Sequence, residues 1–189
     1  MNRKREMVNG IDSLRERHSV GEQFKYVFFW GHQPGREGLI DKSCFSQWYE
    51  AAFEREGIRY PTAEHYMMAA KADLFGDESS RARIIAAPNP GAAKRFGREV
   101  EGFDAGIWDR ERFAIVVDAN LAKFSQNPTL EKFLLGTADR VLVEASPVDS
   151  IWGIGMAQDH SDIKNPASWL GLNLLGFALM EVRAQLSKD

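Results

Sequence analysis

Glu64 and Lys71 are the first residues in this chain whose types and spacing could do chemistry together. They belong to the run Tyr60-Pro61-Thr62-Ala63-Glu64-His65-Tyr66 and the segment that follows it. On a helix, Glu64, Met68 and Lys71 sit at i, i+4 and i+7 and share a face. A carboxylate near the positive end of the helix dipole and an ammonium two turns on could span a substrate about 10 Å long, such as a sugar with a 5′-phosphate. Lys94 and Arg98, one helical turn apart, could clamp a phosphate, with Gly97 between them allowing close approach. Trp108, flanked by Ile107 and Asp109, stands outside any apolar stripe and could present its ring to a planar base. Asp149 follows a strand-like run and precedes Trp152-Gly153-Ile154-Gly155, where a strand-end loop joins an acid to permissive glycines. That Gly-x-Gly lacks the third glycine and the strand–helix context of a dinucleotide fingerprint. Asn173, polar in an apolar run, is either a helix cap or a substrate contact. Each feature also has a plainer reading. Glu64 can be a favourable first-turn acid, Lys71, Lys94 and Arg98 solvated charges, and Trp108 a cap on the core. The four histidines (His18, His32, His65, His160) lie in unrelated segments without metal-ligand spacing. No metal is therefore expected, and His65 is expected to be a hydrogen-bonded structural residue.

These side chains need a scaffold, and the composition limits which. The chain has 189 residues, which favours one domain. We expect a charged N-terminal tail over residues 1–20 and the domain itself over 21–189. Lys and Arg total 24 against 27 Asp and Glu, a formal net charge of −3 that argues against gripping nucleic acid by bulk charge. The single cysteine, Cys44, excludes an internal disulfide and a thiolate-rich metal site, and fits a cytoplasmic location. The charged start is no secretory signal, and no apolar run reaches the roughly 20 residues of a membrane span. Five Trp and twelve Phe suggest a large core or a pocket that stacks planar rings.

Residues 24–30 read as a strand, and residues 46–53 and 57–60 as two short strands of a small antiparallel sheet. Thr62 is an expected N-cap for a helix running to about Leu74. Asp77 and Asn89-Pro90 open two more helices. Residues 113–124 repeat apolar side chains at helical spacing. Asn127-Pro128 starts a helix stopped by Gly136, residues 140–145 alternate like a buried strand, and residues 172–186 close the chain as an apolar helix. The fold class expected is mainly α with a small antiparallel β component (α+β), in a single domain.

The order of these motifs is similar to the NADAR superfamily, which includes the riboflavin-biosynthesis-intermediate N-glycosidases. The resemblance rests on Pro61-Thr62-Ala63-Glu64-His65-Tyr66 with Lys71, on Gly97-Arg98, and on Trp108. It continues with Leu142-Val143-Glu144, Asp149 and Trp152-Gly153, and with Asn173, Gly176 and Leu179-Met180-Glu181-Val182-Arg183. It covers residues 24–186 and implies the mainly helical NADAR fold. It also implies an N-glycosidase, a hydrolase that cleaves the C–N bond between ribose C1′ and a base without a cofactor. The substrates implied are phosphoribosylamino-pyrimidine intermediates of riboflavin biosynthesis or ADP-ribosylated guanine. A small ribosyl phosphate or ADP-ribosyl compound would then be the partner, with ADP-ribosylated DNA reachable through a local basic rim. The alternative is a non-catalytic module that binds ADP-ribose or a related nucleotide.

By the same resemblance the catalytic set is Glu64, Asp149 and Trp108. Lys71 and Arg98 hold phosphate, and Trp152, Gly153, Asn173 and Ser46 complete the binding set. This chain departs from the family pattern at Phe45-Ser46-Gln47-Trp48, at Ile154 in place of a second acid, at Leu174 in place of an arginine, and by an insertion over residues 31–42. In such a site the sugar becomes oxocarbenium-like as the bond breaks. One carboxylate would stabilise that charge and the other activate water, while the indole stacks on the departing base. A desolvated lysine, Lys71 or Lys42, could also trap the opened sugar aldehyde as a Schiff base.

Overall fold

A computed structural model describes residues 8–36 and 38–188 of the chain. In chain order the elements are α1 (Ile11–Ser19), β1 (Tyr26–Phe29), β2 (Phe53–Arg55), β3 (Ile58–Tyr60), α2 (Ala63–Leu74), α3 (Glu78–Ile85), α4 (Pro90–Arg98), α5 (Ala105–Ser125), α6 (Pro128–Leu135), β4 (Val141–Glu144) and α7 (Leu174–Leu186). Single 3₁₀ turns lie at Lys42–Phe45 and Pro166–Ser168. Local chemistry fixes several helix starts. The side chains of Thr62, Asp77, Asn89 and Asp104 each accept a hydrogen bond from a backbone N–H in the first turn of α2, α3, α4 and α5.

Three features differ from the sequence expectation. Residues 46–52 form turns rather than a strand, so the antiparallel hairpin is only β2 with β3, paired from Phe53↔Tyr60 to Arg55↔Ile58. The carbonyls of Cys44 and Ser46 accept from the buried Lys123 ammonium at 2.7 and 2.9 Å, and the Gln47 carbonyl accepts from the Glu64 N–H at 3.0 Å. With those acceptors engaged, the segment has no ladder to offer a neighbour. The second difference is α5, which begins two turns before the apolar repeat at residue 113 and so carries Trp108 in its first turn. Third, β1 and β4 pair in parallel, Tyr26↔Val141 through Phe29↔Glu144, across a crossover that contains α2 to α6. The charged N-terminal stretch holds α1, whose Leu14 is fully buried and whose Arg15 donates to the carbonyls of Pro166 and Trp169.

The core runs from Leu14 through Phe29, Phe45, Phe124 and Leu142 to Leu179. Helix α7 lies against β4 at Gly176, where a Cβ would stand 2.1 Å from the Leu142 carbonyl oxygen. Both parallel strands point their C-terminal ends toward the same side. There the chain leaves β1 into the insertion and β4 into the loop of residues 145–155, the location where open sheets offer ligand crevices.

Candidate active site

A cavity of about 360 Å³ opens where α2, α4, the start of α5 and the loop after β4 meet. Its wall includes Glu64 and Lys71 of α2, Lys94 and Arg98 of α4, Trp108 of α5, and Glu144, Asp149 and Trp152 from the end of β4 and its loop. The volume is within the range of small-ligand sites. Three acids and three cations share it, and three indoles, Trp48, Trp108 and Trp152, supply flat apolar surface.

Helix α2 presents Glu64, Met68 and Lys71 to the cavity as the i, i+4, i+7 spacing predicts. Glu64 is 2 % exposed, and one of its carboxyl oxygens, Oε1, is buried without a hydrogen-bond partner. Burial pushes its pKa up to about 7, and Asp149 adds to that push. The Lys94 ammonium, the Trp48 side chain and Arg98 pull the other way. Lys71 donates to the Gly97 carbonyl at 2.7 Å and lies 5.7 Å from the centre of the Trp108 ring. Its pKa is lowered by burial. The second lysine expected as a candidate for Schiff-base chemistry, Lys42, is exposed, donates to Gln158 and does not line the cavity. Helices α2 and α4 meet at Gly97, where a Cβ would stand 2.1 Å from the Met68 sulfur. The close approach that glycine allows there is to a side chain of the protein.

Asp149 is held by its own loop. Its Oδ1 accepts from the N–H groups of Ile151 and Trp152, both at 2.8 Å. Gly153 and Asn173, expected to bind substrate, lie outside the cavity wall. A Cβ on Gly153 would meet the Glu144 carbonyl at 2.8 Å, so this glycine closes the loop onto the strand end. Asn173 is fully buried, with φ 54°, and bridges the free edge of β4. Its amide nitrogen donates to the Leu142 carbonyl and its oxygen accepts from the Glu144 N–H. Asn173 thus sets the position of Glu144. His65 is locked between Thr62 and Ala87: Nε2–H donates to the Ala87 carbonyl, which leaves Nδ1 to accept from the Thr62 hydroxyl.

Sequence reasoning gave no role to Glu144, Trp48 or Gln47, all on the cavity wall. Glu144 had one usable signal, an acid ending an otherwise apolar strand. Trp48 and Gln47 had none beyond their place in Phe45-Ser46-Gln47-Trp48, where the chain departs from the family pattern. Gln47 is held from α5, where Asn120 donates to its Oε1 at 2.8 Å. The insertion reaches this wall through His32, whose ring lies 5.6 Å from that of Trp48. Among the described residues, no group of three or more His, Cys, Asp or Glu is placed to hold a metal ion, and no helix is long and apolar enough to cross a membrane.

Known proteins carry the same arrangement of sequence and fold. N-glycosidase R617 of Acanthamoeba polyphaga mimivirus is 42 % identical over 169 residues, covering 87 % of this chain and 98 % of the relative. N-glycosidase YbiA of Escherichia coli K12 is 35 % identical over 147 residues, covering 78 % and 81 %. The NMR structure of the E. coli protein YbiA superimposes with a TM-score of 0.68 at 29 % identity, over 88 % of each chain. The profile of the NADAR domain family matches residues 28–187, a span that takes in every wall residue of the cavity. On this fold, this cavity and these relatives, the chain belongs to the NADAR domain family.

Proposed function

We propose that the cavity hydrolyses the C–N bond between ribose C1′ and a base, in a ligand that carries a phosphate on the ribose side. The enzyme class, hydrolase of N-glycosyl compounds, is the one that the relatives' names carry. The observation that supports the finer reading is a single cavity with acids, cations and indoles in its wall. Lys71 and Arg98 hold the phosphate, so that binding energy remote from the bond places C1′ against the acids. Trp108 stacks on the base. Its ring also faces the Lys71 ammonium, so one side chain joins the phosphate end to the base end.

As the bond breaks, positive charge grows on the ring, and carboxylates in a desolvated wall stabilise it more than they could in water. Glu64 and Asp149 are the acids for this work. One offsets the oxocarbenium charge, the other accepts a proton from the attacking water. Two substrate classes fit: phosphoribosylamino-pyrimidines, and guanine bearing ADP-ribose, free or within DNA. Mass spectrometry of the products, after incubation with each class separately, decides between them. Release of a free base with a ribose 5-phosphate or ADP-ribose co-product is the expected result. Tight stoichiometric binding with no base released would instead make the chain a nucleotide-binding module.

A further inference from the structure

Glu144 stands apart from the other acids of the cavity in how its backbone is held and in which charges surround its carboxyl. Its N–H donates to Asn173 at 3.0 Å and its carbonyl accepts from Ile154 at 3.0 Å. Its Cα is in register with Phe29 of β1. The main chain therefore fixes where the side chain starts, and the side chain lines the cavity. Its Oε2 is buried and has no hydrogen-bond partner. An ionised oxygen in that position would lie out of water with no donor to satisfy it, which is strongly unfavourable. A protonated carboxyl escapes that cost and, on a residue that lines the cavity, is a potential donor to what fills it.

The surrounding charges favour the protonated form. Asp149, on the loop after β4, and Glu64, on α2, are like charges, and Lys94 of α4 is the cation that opposes them. The other two elements packed on β4, strand β1 (Tyr26–Phe29) and the first turn of helix α7, contain no charged residue. Burial, the largest cause, together with the two acids pushes the Glu144 pKa up to about 8. The other acids are placed differently. Asp149 already accepts two N–H groups through Oδ1. Glu64 also keeps one oxygen, Oε1, buried and unpartnered, but Lys94, Trp48 and Arg98 all favour its charged form, whereas Glu144 has Lys94 alone.

We propose that Glu144 is the general acid of this site, delivering its carboxyl proton to the base as the C1′–N bond breaks; this rests on the hydrolase reading above. The bonding electron pair goes to the base nitrogen, which takes the Glu144 proton, and Glu144 becomes a carboxylate. A lone pair of water bonds to C1′, and the water proton passes to ionised Glu64. Transfer of that proton to Glu144 through solvent restores the starting state, with no change of oxidation level. Poor leaving bases need such a proton, and a positioned acid supplies about 10²- to 10⁴-fold in rate.

The test compares wild type with Glu144→Gln on two probes. One is a phosphoribosylamino-pyrimidine. The other is a 4-nitrophenyl riboside 5′-phosphate, whose phenolate departs without protonation. Glu144→Gln is expected to lose about 10²- to 10⁴-fold in kcat/KM on the pyrimidine and less than about 10-fold on the nitrophenyl compound. The fall in wild-type kcat/KM as pH rises through about 8 should be missing from the variant's profile. Glu144→Asp, which keeps an acid, should retain that fall at a reduced rate, and it serves if the glutamine variant does not fold. Equal losses on both probes, or an unchanged pH profile, would overturn the role of Glu144 while leaving the hydrolase reading intact. A wild-type enzyme that releases neither base nor nitrophenol overturns both.

Discussion

At the scale of single residues, Glu64 and Trp108 carry the proposed chemistry in separable ways. Glu64→Gln keeps the shape of a side chain that is 2 % exposed and removes only its ability to hold charge or take a proton. Turnover is therefore expected to fall by about 10²- to 10⁴-fold, with ligand affinity within a few-fold of wild type. Single-turnover assays beside calorimetric titration check both halves, and wild-type turnover would remove Glu64 from the mechanism. Trp108→Ala should act on recognition instead. It should weaken binding of base-bearing ligands by about 1–3 kcal/mol and leave bare ribose 5-phosphate nearly unaffected. Equal weakening of both ligands would make Trp108 a packing residue. Glu64, Lys71, Trp108 and Asp149 were legible because a helical repeat, an unplaced aromatic and a glycine-flanked acid are local patterns. Glu144 was not, because an acid at a strand end reads as a solvated terminus until the strand's neighbours are known.

At the scale of elements, helix beginnings were legible and strand partners were not. A cap is chemistry between residues two or three apart, so Thr62, Asp77 and Asn89 could be read directly. The pairing of β1 with β4 joins residues more than a hundred positions apart, and no local pattern specifies it. Residues 46–53 misled because aromatic content imitates strand propensity. In the molecule, Lys123 and Asn120 of α5 hold this segment, and Lys123 is fully buried with its pKa lowered to about 8 by desolvation.

The contact between α2 and α4 gives a test at this scale. In Gly97→Ala the new Cβ would lie 2.1 Å from the Met68 sulfur, so Met68 has to move. Met68 lines the cavity, which makes the cavity the open space into which it can turn. We expect a stability loss of about 1–3 kcal/mol, as for other overpacked contacts. Ligand affinity should also fall, by about 10-fold or more if the displaced side chain costs a comparable free energy. Urea denaturation and ligand titration measure the two effects. Unchanged affinity would mean that α4 shifts as a body and leaves the site intact.

At the scale of the whole molecule, the buried acids of the cavity wall also set how stability depends on pH. Glu64 and Glu144 have folded pKa values of about 7 and about 8 against an ordinary 4.5. Between pH 4.5 and 8 the folded protein thus holds more protons than the unfolded chain, and stability falls as pH rises through that window. His65 opposes part of this trend. Its folded pKa is lowered by burial, so its contribution is lost as pH falls below about 6.5. Below about 4 the sign reverses again, because Asp77, with a folded pKa of about 2 set by the Ser80 and Glu101 hydrogen bonds, and Asp41 lose favourable interactions on protonation. The protein should therefore be most stable near pH 4–5 and lose stability steadily toward pH 8. Glu144→Gln removes the buried ionisation, so it should raise the urea midpoint at pH 8 and leave it nearly unchanged at pH 5. A midpoint raised equally at both pH values would trace the gain to packing. A midpoint lowered at pH 8 would mean that the ionised carboxylate is satisfied in the folded protein, and the free energy held in this wall would have to come from Glu64 alone.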